Sequence, residues 1–252
     1  MIQIIPIHLF ILGLILGSFY NVIGLRVPKS EGFFTSRSSC PYCGKSLKWF
    51  ELIPVVSFFL QRGECRSCNK SISILYPFVE VCTSFLFVSS LYVFGWSIEL
   101  IVSLLFISLS MIIFVSDIKY MVIPDSVLLF FLPFFLVLRI FNPLQPWYDS
   151  ILGAIVGVVL LAIIIIISKG GMGAGDMKFF GLIGIVLGVK KTLLSFFLST
   201  LTGAVVSGIL LGVGIIERNN PIPFGPYIIV GAIMAHFFGD EIIHWYISIV
   251  IR

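Results

Sequence analysis

Long apolar stretches separated by short polar links run through almost the whole chain, and a single polar island interrupts them. The first stretch is Ile2 to Leu25 and the island is Arg26 to Ser73. Further stretches follow at 74–96, 98–116, 122–141, 150–167, 177–189, 192–216 and 226–250. Crossing the hydrocarbon core takes about 20 apolar residues in a helix. The pattern therefore predicts an all-α polytopic membrane protein with about eight transmembrane helices and a small loop domain between helices 1 and 2. Its expected organisation is a first transmembrane helix (1–25), a loop (26–73) and a seven-helix core (74–252). The links are too short for a second soluble domain.

Composition sharpens this reading. Only 11% of the residues are charged and 59% are hydrophobic, with a mean hydropathy of +1.14. Soluble globular chains carry about a quarter charged residues, and disorder needs low hydrophobicity with high net charge. Both are excluded, and the lipid bilayer is the expected surroundings. A net charge of +4 is too mild to indicate a nucleic-acid partner. The first segment has no positive residue before its apolar run and no small-residue cleavage site after it, so it does not read as a cleaved signal peptide.

Charge distribution predicts the orientation. With the N-terminus outside, the inside segments hold Arg26, Lys29, Arg37, Lys45, Lys48, Arg62, Arg66, Lys70, Lys119, Lys169, Lys178 and Arg218. The outside segments hold Arg139, Lys190, Lys191 and Arg252. Twelve against four satisfies the positive-inside rule and puts the island in the cytoplasm. Lys190 and Lys191 run mildly against it, as side chains snorkelling from a short helix would.

The island carries Cys40-Pro-Tyr-Cys43, 21 residues, then Cys65-Arg-Ser-Cys68. Two such knuckles supply four thiolates, the donor set of a closed structural Zn²⁺ site. Lys45, Arg62 and Arg66 are expected to help keep the thiols deprotonated. A reducing compartment disfavours disulfides, and a metal would fold a loop too small for its own core. Cys82, inside the second span, reads as a small buried apolar residue.

Acids in or beside membrane spans are costly and default to functional candidates. Among them Glu80, Asp117, Asp125, Asp176, Asp240 and Glu241 are the candidates. Asp117 closes the third span; Asp176 opens the sixth in Gly173-Ala-Gly175-Asp176-Met-Lys178. Although 59 residues apart, they fall on the same side at similar depth in the predicted topology. Two neighbouring carboxylates do not ionise together easily. One can serve as base on a water while the other, protonated, polarises a peptide carbonyl. The glycines around Asp176 would permit non-helical backbone beside a substrate strand, and the short following helix would admit water.

Other chemistry fits less well. The glycine run lacks the Lys-Ser/Thr of a phosphate loop, and no HExxH or nucleophile elbow occurs. An ion relay through the acids remains a further reading. Asp125, after Pro124, reads either as a helix cap or as a direct participant. Asp240 and Glu241 with His236 and His244 read as a structural or solvated group rather than a metal cluster. Asn21 is expected to hydrogen-bond inside the bundle or to touch substrate. Gly153-x-x-x-Gly157, Gly184-x-x-x-Gly188 and Gly208-x-x-x-Gly212 are close-packing signals.

Together these residues resemble the bacterial type IV prepilin peptidases, GxGD-type membrane aspartic proteases. The opening Gly17-Ser-Phe-Tyr-Asn21 through Arg26-Val-Pro28, the cysteine loop with Trp49-Phe-Glu51-Leu-Ile-Pro54, and Tyr76-Pro77-Phe-Val-Glu80 are similar to family segments. So are Asp117 with Pro124-Asp125, Gly173-Ala-Gly175-Asp176 with Lys178, and Pro223-Phe-Gly-Pro226. The resemblance implies leader cleavage from prepilins and pseudopilins at the cytoplasmic face, with Asp117 and Asp176 catalytic. It also implies N-methylation of the new terminus from S-adenosylmethionine, for which the residues themselves give no nucleotide fingerprint. Lys119 departs from the acid that relatives often carry two residues after the first Asp. A peptidase without methylation and a non-enzymatic transporter or scaffold are the alternatives.

Overall fold

A computed structural model describes residues 4–32, 38–169, 171–215 and 222–250. Arg37, Arg218 and Arg252 of the charge count, and Gly170 beside the glycine motif, lie outside them. The described chain is helical, with two isolated antiparallel bridges in the cysteine loop. The helices are α1 (Ile4–Arg26), α2 (Val56–Leu60), α3 (Leu75–Phe94), α4 (Ile98–Tyr120), α5 (Asp125–Phe141), α6 (Asp149–Ile167), α7 (Ala174–Gly212) and α8 (Gly225–Val250). Among the described residues six helices are long and apolar enough to cross a membrane. The multi-pass helical architecture expected from the pattern is therefore present.

Two departures explain the difference between six and eight. Helix α5 is as apolar as its neighbours but has only 17 residues, about 26 Å of helix at 1.5 Å per residue. The stretches at 177–189 and 192–216 are two helical arms of α7 that follow one another directly across non-helical backbone at Gly188, with no loop between them. The pair Lys190-Lys191, read as snorkelling from the end of a short helix, lies at the start of the second arm.

The chain forms two compact units, Met1–Val115 and Ser116–Arg252. In the first, α1 packs on α3 through Gly13 and Gly17, where an added Cβ would meet the backbone of Ser84 and Glu80. Gly24 makes the same close approach to Val115 of α4. Polar contacts cross these apolar interfaces: Tyr20 with Ser108 at 2.6 Å, and Ser90 with Ser103 at 2.8 Å. Asn21 is buried, and its Nδ2 donates to the carbonyls of Gly17 and Tyr76. This is the intrabundle role expected of it.

The second unit is organised around α7. Gly153 and Gly157 of α6 lie against the backbone of Gly184 and Phe180, so two of the three predicted small-residue motifs do pack helices. The third does not: a Cβ on Gly208 or Gly212 would meet nothing within 4 Å among the described residues. At Gly188 the backbone takes φ 74°, a value that disfavours any residue with a Cβ. The break strands hydrogen-bonding groups on both sides, and neighbouring helices supply partners. Arg139, buried in the last turn of α5, donates to the Val186 carbonyl before the break. Asp149, the first residue of α6, accepts the Val189 N–H after it at 3.3 Å. Arg139 therefore has a buried role that a charge count along the sequence does not show.

Candidate active site and metal centre

Each CxxC pair forms the same small knuckle. The Cys40 N–H donates to the Lys45 carbonyl at 3.0 Å and the Gly44 N–H to the Cys40 carbonyl at 2.9 Å. The second knuckle repeats this between Cys65 and Lys70, and between Asn69 and Cys65, both at 2.9 Å. Gly44 and Asn69 occupy equivalent positions with positive φ, a conformation that Gly and Asn tolerate best. Lys45 Nζ bridges the knuckles by donating to Ser67 Oγ at 2.6 Å.

This folding brings Cys40, Cys43, Cys65 and Cys68 together, with all four sulfurs within 4.8 Å of one another. The sulfurs of Cys40 and Cys68 are 3.8 Å apart. A tetrahedral site with arms of about 2.3 Å requires roughly that separation, so the donor set fits a metal ion. The Cys65 thiol is drawn down to about 6, first by the backbone N–H of Ser67 and then by that of Cys68. Backbone N–H groups thus favour thiolate at Cys65, whereas the Cys68 thiol, despite the Lys70 N–H, is pushed up to about 11 by burial and the neighbouring thiols. Cys82 is half-buried rather than buried.

The loop is tied to the membrane helices of its own unit by Glu80. This acid, in the second turn of α3, accepts the Val55 N–H at 2.7 Å and is hydrogen-bonded by Ser18. Val55 has φ 61°, strained for a β-branched residue. The Glu80 contact helps to hold it there. Nothing in the sequence pattern marked this contact except the cost of an acid inside a span.

The second unit brings together the two aspartates separated in sequence. Asp117, in the last turn of α4, is 5% exposed, and Asp176, in the first turn of α7, is 8% exposed. They are close enough for their charges to interact. Each carboxylate accepts one backbone N–H: Asp117 Oδ2 from Gly225 at 2.8 Å, and Asp176 Oδ2 from Gly173 at 3.1 Å. Gly225 opens α8, and helix starts present unpaired N–H groups that favour an anion. An added Cβ there would lie 2.7 Å from Asp117 Oδ2, so the contact requires glycine. The sequence marks Gly225 only as part of the Pro223-Phe-Gly-Pro226 segment, a Gly-Pro pair at the head of an apolar run, and assigns it no role toward Asp117.

The glycines of the motif work differently from the expectation. Gly173 has φ −76° and ψ 146°, which any residue adopts, while Gly175 is already helical. The constraint at Gly175 is space, since a Cβ would come within 3.0 Å of Ile123. Near this site Lys178 forms an ion pair with Asp125 at 2.6 Å, both side chains about half exposed. Pro124 takes the N-cap position of α5, and Asp125 is the first helical residue after it. It joins α5 to α7 beside the aspartates. Lys119 is exposed.

At the other cluster raised by the sequence, Asp240 pairs with Lys191 at 2.7 Å. His236 is buried, whereas Glu241 and His244 are exposed. Among the described residues these four do not gather as a metal-binding group. Lys191, one of the charges running against the predicted orientation, is thus paired within the fold.

Comparison with known proteins adds an independent line. A family model described as Bacterial Peptidase A24 N-terminal domain matches residues 11–94, and one described as Type IV leader peptidase family matches residues 104–208. The chain is 46% identical over 95% of its length to a protein of Bacillus subtilis named Prepilin leader peptidase/N-methyltransferase, covering 97% of that protein. The chain belongs to the type IV leader peptidase family. Proteins of the same name from Xanthomonas campestris and Legionella pneumophila are each 33% identical to it. The match covers 94% of this chain and 92% of the Xanthomonas protein, and 85% and 77% for the Legionella protein. No solved structure matches. The N-terminal peptidase A24 segment contains the cysteine cluster and Glu80, and the leader peptidase segment contains both aspartates.

Proposed function

We propose that this chain is a membrane aspartic endopeptidase that removes the leader from prepilin-like substrates and then methylates the new N-terminus. The observation that carries the peptidase reading is the pair of buried carboxylates, Asp117 and Asp176, each held by a backbone N–H at a helix start. One carboxylate, ionised, takes a proton from water as the hydroxide adds to the scissile carbonyl carbon. The other, protonated, gives its proton to the carbonyl oxygen. Return of a proton to the amide nitrogen then breaks the C–N bond, with no covalent enzyme intermediate. Gly225 and Gly173 orient the acids; Gly175 lets α7 approach Ile123 closely enough to bring Asp176 into place. Lys178, Pro124 and Asp125 support the same corner.

The four cysteines are proposed to hold a structural Zn²⁺, whose charge would stabilise the thiolates and fold the loop. The relatives' name supports methylation, in which S-adenosylmethionine would supply the methyl group. The charge count supports an orientation with the N-terminus outside and both the cysteine loop and the aspartates at the cytoplasmic face, and the bacterial relatives support the bacterial cytoplasmic (inner) membrane as the location. The substrate's own hydrophobic segment would lie in the bilayer beside the helices.

The test is cleavage of a prepilin-like substrate by purified wild type, Asp117→Asn and Asp176→Asn, with products read by mass spectrometry. Each variant is expected to lose about 10³-fold or more in cleavage rate while keeping normal membrane levels and substrate binding. Retained cleavage in either variant removes that Asp from the chemistry. With S-adenosylmethionine present, a wild-type product that is cleaved but no heavier by a methyl group removes the second activity.

A further inference from the structure

The cysteine loop presents an apolar face that its own fold leaves open. Trp49 is 79% exposed, Phe59 and Leu60 each 70%, and Leu52, Ile53 and Val56 are exposed beside them in sequence. These residues fall on a short 3₁₀ turn (Trp49–Leu52), the following bend and α2. Exposed large side chains gathered in one short segment mark an interaction surface.

Three observations identify what covers it. First, Val55, in the middle of this segment, is anchored to Glu80 by its N–H at 2.7 Å. Glu80 is the sixth residue of α3, so the anchor lies about 8 Å along that helix from its first residue at 1.5 Å per residue. At 20 residues α3 is about 30 Å long, the thickness of the hydrocarbon core. The loop is therefore fastened at a depth inside the end of a membrane-spanning helix. Second, Ile74 and Phe78 at that end of α3 are exposed as well, at 75% and 50%, continuing the apolar surface from the loop onto the span. Third, residues 40–70 carry Lys45, Lys48, Arg62, Arg66 and Lys70, all exposed, against Glu51 and Glu64. Glu51 is engaged by the Lys48 N–H. An excess of positive charge around exposed aromatics suits the boundary between anionic headgroups and acyl chains.

We propose that the Trp49–Leu60 face of the cysteine loop is seated in the interfacial region of the bilayer, with its basic residues on anionic phospholipid headgroups. The loop is then a membrane-inserted element rather than a domain standing free in water. This goes beyond the peptidase reading and does not depend on it. Trp49 and Phe59 occupy the boundary as interfacial aromatics do, and Arg66, 5.3 Å over the Phe50 ring, stays beside the apolar surface while its charge reaches headgroups.

The experiment uses the full chain carrying Trp96→Phe, Trp147→Phe and Trp245→Phe, which leaves Trp49 as the sole tryptophan. The protein is reconstituted with phospholipids brominated high on the acyl chain, placed either on phosphatidylglycerol or on phosphatidylcholine in the same mixture. Trp49 fluorescence is expected to fall about twofold with brominated lipid, more with brominated phosphatidylglycerol than with brominated phosphatidylcholine. Aqueous iodide should quench it weakly. Strong iodide quenching without bromolipid quenching overturns the proposal and places the face in water. Protection from both quenchers also overturns it, because protein then covers the face. Equal quenching by the two brominated headgroups overturns the anionic preference.

Discussion

Gly225 shows how much a single residue contributes to the candidate active site. Its N–H is aimed at Asp117, and an added methyl group would lie 2.7 Å from the carboxylate oxygen. Gly225→Ala must therefore displace either Asp117 or the start of α8. A displacement near 1 Å in a catalytic group costs about 10²-fold, so we expect cleavage to fall by about that factor with the protein still folded. Gly173→Ala, by contrast, would bring its Cβ only to 3.4 Å from Asp176, an ordinary contact, and should retain most of its activity. Initial rates for the two variants check this; equal losses would show that backbone mobility, rather than space, is what the glycines supply. The two aspartates were legible in the sequence because acids are rare in apolar spans. Gly225 was not, since the requirement arises from a side chain 108 residues away.

Among the elements, α7 holds the feature that could not be read along the chain. Its two apolar stretches predicted two helices, and these are the two arms of α7, but a single non-helical glycine, Gly188, separates them instead of a loop. The break is held by Arg139 from α5 and Asp149 from α6, and by a glycine conformation. Asp149→Ala removes a cap on the second arm, a loss of about 1 kcal/mol. Arg139→Met leaves the Val186 carbonyl without that donor, about 1–3 kcal/mol. Gly188→Ala adds backbone strain and a collision with the Asp149 carboxylate, and should destabilise most. Thermal unfolding in detergent ranks the three. A Gly188→Ala protein as stable as wild type would show that the break is not needed. Hydropathy cannot distinguish such a break from a loop, because both interrupt the apolar run with glycine and lysine.

For the whole molecule, the cysteine cluster and the aspartate pair belong to different compact units. Damage to one need not abolish the chemistry of the other. We expect paired Cys40→Ser and Cys65→Ser substitutions to remove metal binding by the loop and methylation while sparing most leader cleavage. Zinc by elemental analysis, with both products read by mass spectrometry, checks it. Parallel loss of both activities would show that the loop also supports cleavage.

What the sequence determined by itself was the helical membrane class and the candidate residues for metal binding and acid–base chemistry. Apolar runs of membrane length leave few alternatives to helices, paired CxxC motifs specify a tetrahedral donor set, and rare acids stand out from their surroundings. These signals are local, carried by composition and short spacing. What only the tertiary structure decided was geometry between distant segments: the Gly225 N–H on Asp117, the Lys178–Asp125 pair, the Glu80 anchor on Val55 and the partners of the α7 break. Each depends on a polar group finding a partner far along the chain, and burial makes that pairing necessary without revealing in the sequence which partner it will be.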